Sequence, residues 1–149
     1  MFIESQPNES IFDSPAKVLV NPVNCCGIMG AGLALEFKKR YPKNNIAYVG
    51  ACAYKELRVG TLFTFQEGGK LICNFPTKDN PQYPSRMSYI TVGLTQLRGD
   101  IIKYEYPSVA IPAIGCGLGN LKWEIVYPEI QRLLSKLHCK IYIYPPRPL

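Results

Sequence analysis

The sequence predicts an α/β fold, a mixed central sheet flanked by helices on both faces in three layers. Three observations predict it. Short apolar runs alternate with stretches whose apolar residues recur every three or four positions. Two of the runs have the turn Glu67-Gly68-Gly69 between them, which places one hairpin inside an otherwise parallel order. Two other runs lead into glycine-rich loops that precede helical patterns. The 149 residues suit one core, and residues 1–149 are read as a single domain with no linker or internal repeat.

In chain order, Lys17-Val18-Leu19-Val20 reads as a short buried strand running into Asn21-Pro22-Val23-Asn24 and a loop ending at Gly32. Leu33, Phe37 and Tyr41, spaced at four, mark one helix face, and Pro42 stops it. A weaker helix is expected from Asn45 to Glu56, where β-branched residues oppose helix formation. Residues 61–65 and 70–74 form the hairpin strands. Ile90, Leu94, Leu97 and Ile101 give the strongest helical stripe. Ser108 to Pro112 is the next strand, followed by the second loop, Gly115 to Asn120. Pro128 is expected in the first turn of a helix reaching about Leu137. Lys140 to Tyr144 is the last strand, and Pro145-Pro146 ends it.

Composition excludes several classes. Hydrophobic residues make up 47% and charged residues 19%, an ordinary globular balance. No apolar run approaches the roughly 20 residues that span a bilayer. Met1 to Pro7 lacks the basic and apolar parts of a signal peptide, so a cytoplasmic location is the default expectation; a monomer without membrane attachment is expected. The six cysteines form no C-x-x-C pair and the single histidine is His138, so buried free thiols are expected and no metal site is. With one late histidine, Ser-His or Cys-His acyl transfer is disfavoured. The net charge of +6 is compatible with a polyanionic partner but equally with a solvated basic face.

In such a sheet, ligands sit beyond the carboxyl ends of the strands. Asn24-Cys25-Cys26-Gly27-Ile28-Met29-Gly30-Ala31-Gly32 and Gly115-Cys116-Gly117-Leu118-Gly119-Asn120 both occupy that position. Glycines let the backbone approach a ligand, and N–H groups at a helix start attract phosphate oxygens. Neither loop is a P-loop, because no Gly-Lys-Ser/Thr follows, and the glycine spacing is not that of a dinucleotide fold. A phosphorylated ligand is expected, and hydride transfer is disfavoured.

Val20-Asn21-Pro22-Val23-Asn24 with Gly27 to Ala34 resembles the distal-ribose loop of macro domains, and Ile111 to Gly119 resembles their diphosphate loop. The resemblance runs from about Ser10 to Tyr144. It implies the macro domain fold and an ADP-ribose ligand, with no cofactor. Asn74-Phe75-Pro76-Thr77-Lys78, Ser85-Arg86-Met87 and Gly93-Leu94 are similar to the DarG type of DNA ADP-ribosyl glycohydrolase, which removes ADP-ribose from thymine in single-stranded DNA. In that type a lysine at the Lys78 position is catalytic.

The chain departs from family patterns. Many macro domains carry an early Gly-Asp whose aspartate bonds the adenine amine; Glu9-Ser10 stands there, with Asp13 out of register. Gly119 replaces an aspartate of the human deacylating relative, which favours the DarG-like reading. Lys122 replaces an acidic residue common before the tryptophan, here Trp123. DarG antitoxins also carry a second domain, which these 149 residues do not include.

The implied catalytic residues are Lys78 and Asn24, the latter through the distal ribose hydroxyls. Lys78 would act as nucleophile or acid at the anomeric carbon, or as a cation stabilising leaving-group charge. The implied ligand contacts are Asn21, Cys26, Gly27, Ile28, Met29, Gly30 and Gly32, then Thr77, then Gly115, Cys116, Gly117, Leu118 and Gly119. Asn21 would brace the first loop from inside, and Tyr144 would stack on adenine unless it only packs the core. Tyr83 and Arg86 are candidates for a nucleic-acid strand, whereas Lys38-Lys39-Arg40 reads first as a solvated helix end. Three functions share these loops: a hydrolase releasing ADP-ribose from nucleic acid or protein, an ADP-ribose 1″-phosphate phosphatase, and a non-catalytic reader.

Overall fold

The computed structural model describes residues 1–147. Six strands form one sheet: β1 (Phe2–Glu4), β2 (Val18–Asn24), β3 (Phe63–Glu67), β4 (Lys70–Lys78), β5 (Ser108–Pro112) and β6 (Lys140–Tyr144). Their order is β1-β6-β5-β2-β4-β3, and only β3 runs antiparallel to its neighbour. The helices are α1 (Gly32–Arg40), α2 (Pro42–Ala53), α3 (Met87–Tyr104) and α4 (Trp123–Leu134). A 3-10 turn spans Ile11–Asp13. The mixed sheet between helical layers matches the sequence-based expectation.

Alternation along the strands sends side chains to two cores. Val18, Val20, Cys73, Phe75, Val109 and Ile111 meet α3 and α4 on one face. Leu19, Ile72 and Ala110 meet Phe37 of α1 on the other, and Val23 and Met29 meet Tyr48 and Ala51 of α2. At Gly93 of α3 a Cβ would collide with the Phe75 ring, lying 2.6 Å from Cε1 and closer still to Cζ, so this glycine lets the helix sit down on β4.

The chain therefore leaves β2 toward one face and β5 toward the other, and a crevice opens between these two strands. Their pairing is short, covering only Val18↔Val109 and Leu19↔Ala110. Beyond it lie Pro22 and Pro112, which have no N–H to donate, and both line the crevice. On its other side β2 stays paired with β4 as far as Asn24↔Lys78, with a register shift between Val23 and Asn24.

Several expectations need correction. Pro128 lies inside α4, not in its first turn, and the helix ends at Leu134. Val126, Ile130 and Leu134 are buried at a spacing of four, and their packing carries the helix through the exposed proline. The second helix begins at Pro42, three residues early, and ends at Ala53. β2 and β4 run on to Asn24 and Lys78. β1, which pairs with β6 at the sheet edge, was not expected.

Candidate functional site

The crevice is a cleft of about 1090 Å³, just above the roughly 300–1,000 Å³ common for small-molecule sites. Both glycine-rich loops line it, together with Thr77 and Lys78 from β4 and Tyr144 from β6. Residues that the sequence reading did not place there also reach it: Gln6, Pro7, Glu9 and Ile11 from the N-terminal segment, Glu36 of α1, Trp123 of α4 and Arg147.

The loops present unpaired N–H groups. In the second loop, Cys116, Asn120 and Leu121 donate to carbonyls of the same loop, whereas Gly115, Gly117, Leu118 and Gly119 donate to no acceptor among the described residues. Gly115 and Gly119 are buried, where an unpaired backbone donor is costly, so these groups call for a partner from outside the protein. In the first loop, α1 begins at Gly32 without a side-chain cap, leaving its first-turn N–H groups and its positive dipole end open to the cleft. Anionic oxygens suit both loops.

Asn24 and Lys78 stand opposite each other on adjacent strands. Lys78 Nζ donates to Pro81 O at 3.3 Å, a long bond that an incoming acceptor can replace. Asn24 Oδ1 accepts from the N–H groups of Cys26 at 3.0 Å and Ile28 at 3.4 Å, while its Nδ2 donates to Ile28 O at 2.7 Å. Asn24 thus folds the loop around its own side chain while still lining the cleft.

Ile28, Gly30, Gly32, Gly115, Cys116, Gly117, Leu118 and Gly119 line the cleft. Asn21, Cys26, Gly27 and Met29 do not. Asn21 is fully buried and donates to Asn74 Oδ1 at 3.1 Å, and Met29 is buried beside it. Gly27, at φ +80°, packs on Val49 and Cys52 of α2. Cys26 is exposed, its thiol 3.6 Å from Asp79 O, which corrects the expectation of buried thiols there. Burial pushes the Cys25 thiol up to about 12, helped by Asp79, and the Cys116 thiol up to about 11, helped by Glu124. Both stay protonated near neutral pH and are poor nucleophiles.

At the other end of the cleft it is Glu9, not Ser10, that lines the wall; Ser10 Oγ caps the 3-10 turn by accepting from Phe12 N at 3.2 Å. Tyr144 is buried among Ile11, Leu19 and Phe37, so it packs the core while lining the cleft. Tyr83 is 66% exposed on the segment after Lys78, and the Arg86 guanidinium lies 5.9 Å from the Tyr89 ring centroid at the start of α3. Neither lines the cleft. Among the described residues, no helix is long and apolar enough to cross a membrane.

The Macro domain family model matches residues 20–130. The DNA ADP-ribosyl glycohydrolase of Thermus aquaticus is 38% identical over 142 residues, covering 92% of this chain and 39% of the relative. The chain therefore spans about two-fifths of that relative's length. The macrodomain of Mycobacterium tuberculosis DarG is 38% identical with a TM-score of 0.93, covering 98% of each chain. Thermosipho africanus DarTG in complex with ADP-ribose is 33% identical with a TM-score of 0.88, covering 92% of this chain and 40% of that one.

Proposed function

The chain belongs to the macro domain family, and from that premise we propose that it binds ADP-ribose in the cleft and hydrolyses the bond joining it to a modified macromolecule, thymine in single-stranded DNA above all. One observation carries the reading. The strand order sets Asn24 and Lys78 side by side at the mouth of a cleft whose two loops offer unpaired N–H groups. The ADP-ribose complex of the Thermosipho relative supports the ligand, and the name of the Thermus relative supports the reaction.

In this reading the N–H groups of Gly117, Leu118 and Gly119 and the open start of α1 take the diphosphate. Tyr144 takes the adenine face, and Glu9 is the carboxylate at that end in place of the family's aspartate. The free N–H of Asn24 binds a distal ribose hydroxyl. Lys78 meets the anomeric carbon. As an amine it attacks that carbon, expels the base with its bonding electrons, and is released when water hydrolyses the adduct. As an ammonium it stabilises the departing base while water attacks. Either way water is consumed, and ADP-ribose and the unmodified base are the products. Tyr83 and Arg86, exposed beyond Lys78, contact the strand that carries the base.

The test is turnover of a single-stranded oligonucleotide bearing ADP-ribosylated thymine, comparing the parent with Lys78→Ala. The parent releases ADP-ribose and the variant loses at least about a hundredfold in rate, as expected for removal of a group at the reacting atom. If neither acts while both bind ADP-ribose, the DNA reading is wrong. Phosphate release from ADP-ribose 1″-phosphate then separates a phosphatase from a non-catalytic reader.

A further inference from the structure

The inner face of α2 carries polar groups that the proposed reaction leaves without a role. A helix covering a sheet ordinarily buries apolar side chains, yet the buried residues of α2 are Asn44, Tyr48 and Ala51. Asn44 Nδ2 donates to Asn74 Oδ1 at 3.2 Å, deep in the sheet. One turn later, the Tyr48 hydroxyl lies 2.7 Å from Asn24 O and 2.9 Å from Asn24 Oδ1. Tyr48 is fully buried, so its hydroxyl cannot reach a ligand itself. A phenol has one hydrogen, which these two oxygens of Asn24 share.

Asn24 Oδ1 therefore faces three donors: Cys26 N–H, Ile28 N–H and the Tyr48 hydroxyl. Turning the amide over would set its NH2 group against the two backbone N–H groups, donor against donor. The side chain is locked with one Nδ2 hydrogen on Ile28 O. Its other Nδ2 hydrogen has no acceptor among the described residues, on a side chain that lines the cleft. Two of the three donors belong to the loop and move with it. Tyr48 alone ties the amide to a helix packed on the sheet.

We propose that Tyr48 is a positioning residue for ligand binding, acting through Asn24 to keep the free N–H of that amide turned into the cleft. The inference rests on the reading of Asn24 as a ribose contact. Burial holds the Tyr48 phenol above its ordinary range, so it stays a donor at physiological pH.

A double-mutant cycle tests this. Calorimetry with ADP-ribose is run on the parent, Tyr48→Phe, Asn24→Ala and the double variant. Tyr48→Phe weakens binding about fivefold, the worth of one neutral hydrogen bond. In the Asn24→Ala background the same substitution changes affinity less than about twofold, because no amide remains to be positioned. Calorimetry also returns stoichiometry, so unfolded protein registers as fewer sites and not as weaker ones. Equal losses in both backgrounds indicate a merely structural tyrosine and overturn the proposal, as does parent-like affinity in Tyr48→Phe. If Asn24→Ala binds like the parent, the proposal falls while the ADP-ribose reading stands. If the parent binds no ADP-ribose, both fall.

Discussion

A methyl group at Gly119 would press into Gly115 O and Ser85 Oγ and lie 2.9 Å from the Gly115 carbonyl carbon. The Ser85 hydroxyl can rotate away, but the Gly115 carbonyl is held by Leu121 N–H at 2.9 Å. Gly119→Ala must therefore spread the two ends of the second loop and strain the bond from Ser85 N to Gly119 O, now 3.1 Å. Overpacking of this kind costs about 1–3 kcal/mol. Each kcal/mol lowers Tm by about 2–4 °C in a domain of this size, so a drop near 6 °C is expected. The unpaired N–H groups of Gly117, Leu118 and Gly119 ride on the same loop, and ADP-ribose affinity falls about tenfold or more with their misplacement. Gly117 is the control. A Cβ there meets nothing within 4 Å, so Gly117→Ala leaves Tm within about 1 °C. Scanning and titration calorimetry on both variants decide the matter. Equal effects at the two glycines, or an unchanged Tm for Gly119→Ala, would refute the packing argument.

Three further outcomes follow from packing and exposure. Asn74→Leu leaves Asn21 Nδ2 with only the weak acceptor Met29 Sδ at 3.7 Å and takes the Asn74 partner from the Asn44 amide and from Phe63 O, all fully or partly buried; thermal melts should show a loss of about 3 kcal/mol or more. Pro128→Ala supplies an N–H for the carbonyl of Glu124 at an exposed helix position; it should stabilise by about 1 kcal/mol or more, read as a higher Tm. Cys26 is the one exposed thiol among the described cysteines, whereas burial raises Cys25 and Cys52 above the ordinary range. Peptide mapping after brief iodoacetamide treatment near pH 8 should find Cys26 labelled first and fully buried Cys73 last.

Where a residue's periodicity and its packing agree, the sequence reads directly. Ile90, Leu94, Leu97 and Ile101 all lie buried on one face of α3, and β5 and β6 begin and end at the expected residues. Where local chemistry and packing disagree, packing wins. Pro128 signals a helix start, yet the helix begins five residues earlier because Val126, Ile130 and Leu134 need one continuous face. Pro22 and Pro76 argue against strand interiors, but β2 has left β5 by Pro22, and β3 no longer pairs with β4 beyond Asn74. The three residues of β1 are too few to show a period, and only pairing with β6 defines them.

The site divides the same way. Its two loops were legible because glycines after a strand are a local signal, and strand order then brings them together at one cleft. The groups that hold the loops were not. An asparagine in a sequence reads as a turn or cap residue, and a tyrosine in a helix reads as packing. Asn21, Asn74 and Asn44 become a buried hydrogen-bonded set only because residues 53 and 30 positions apart meet across β2, β4 and α2. Tyr48 finds Asn24 across 24 positions. Each of these side chains would be expensive to leave unpaired in the core, so each restricts where its partner can sit. Loops rich in glycine are otherwise free to wander. The first loop in this chain draws part of its order from the contact of Tyr48 with Asn24 beneath it, and a substitution at the concealed position 48 should alter ligand affinity although Tyr48 does not line the cleft.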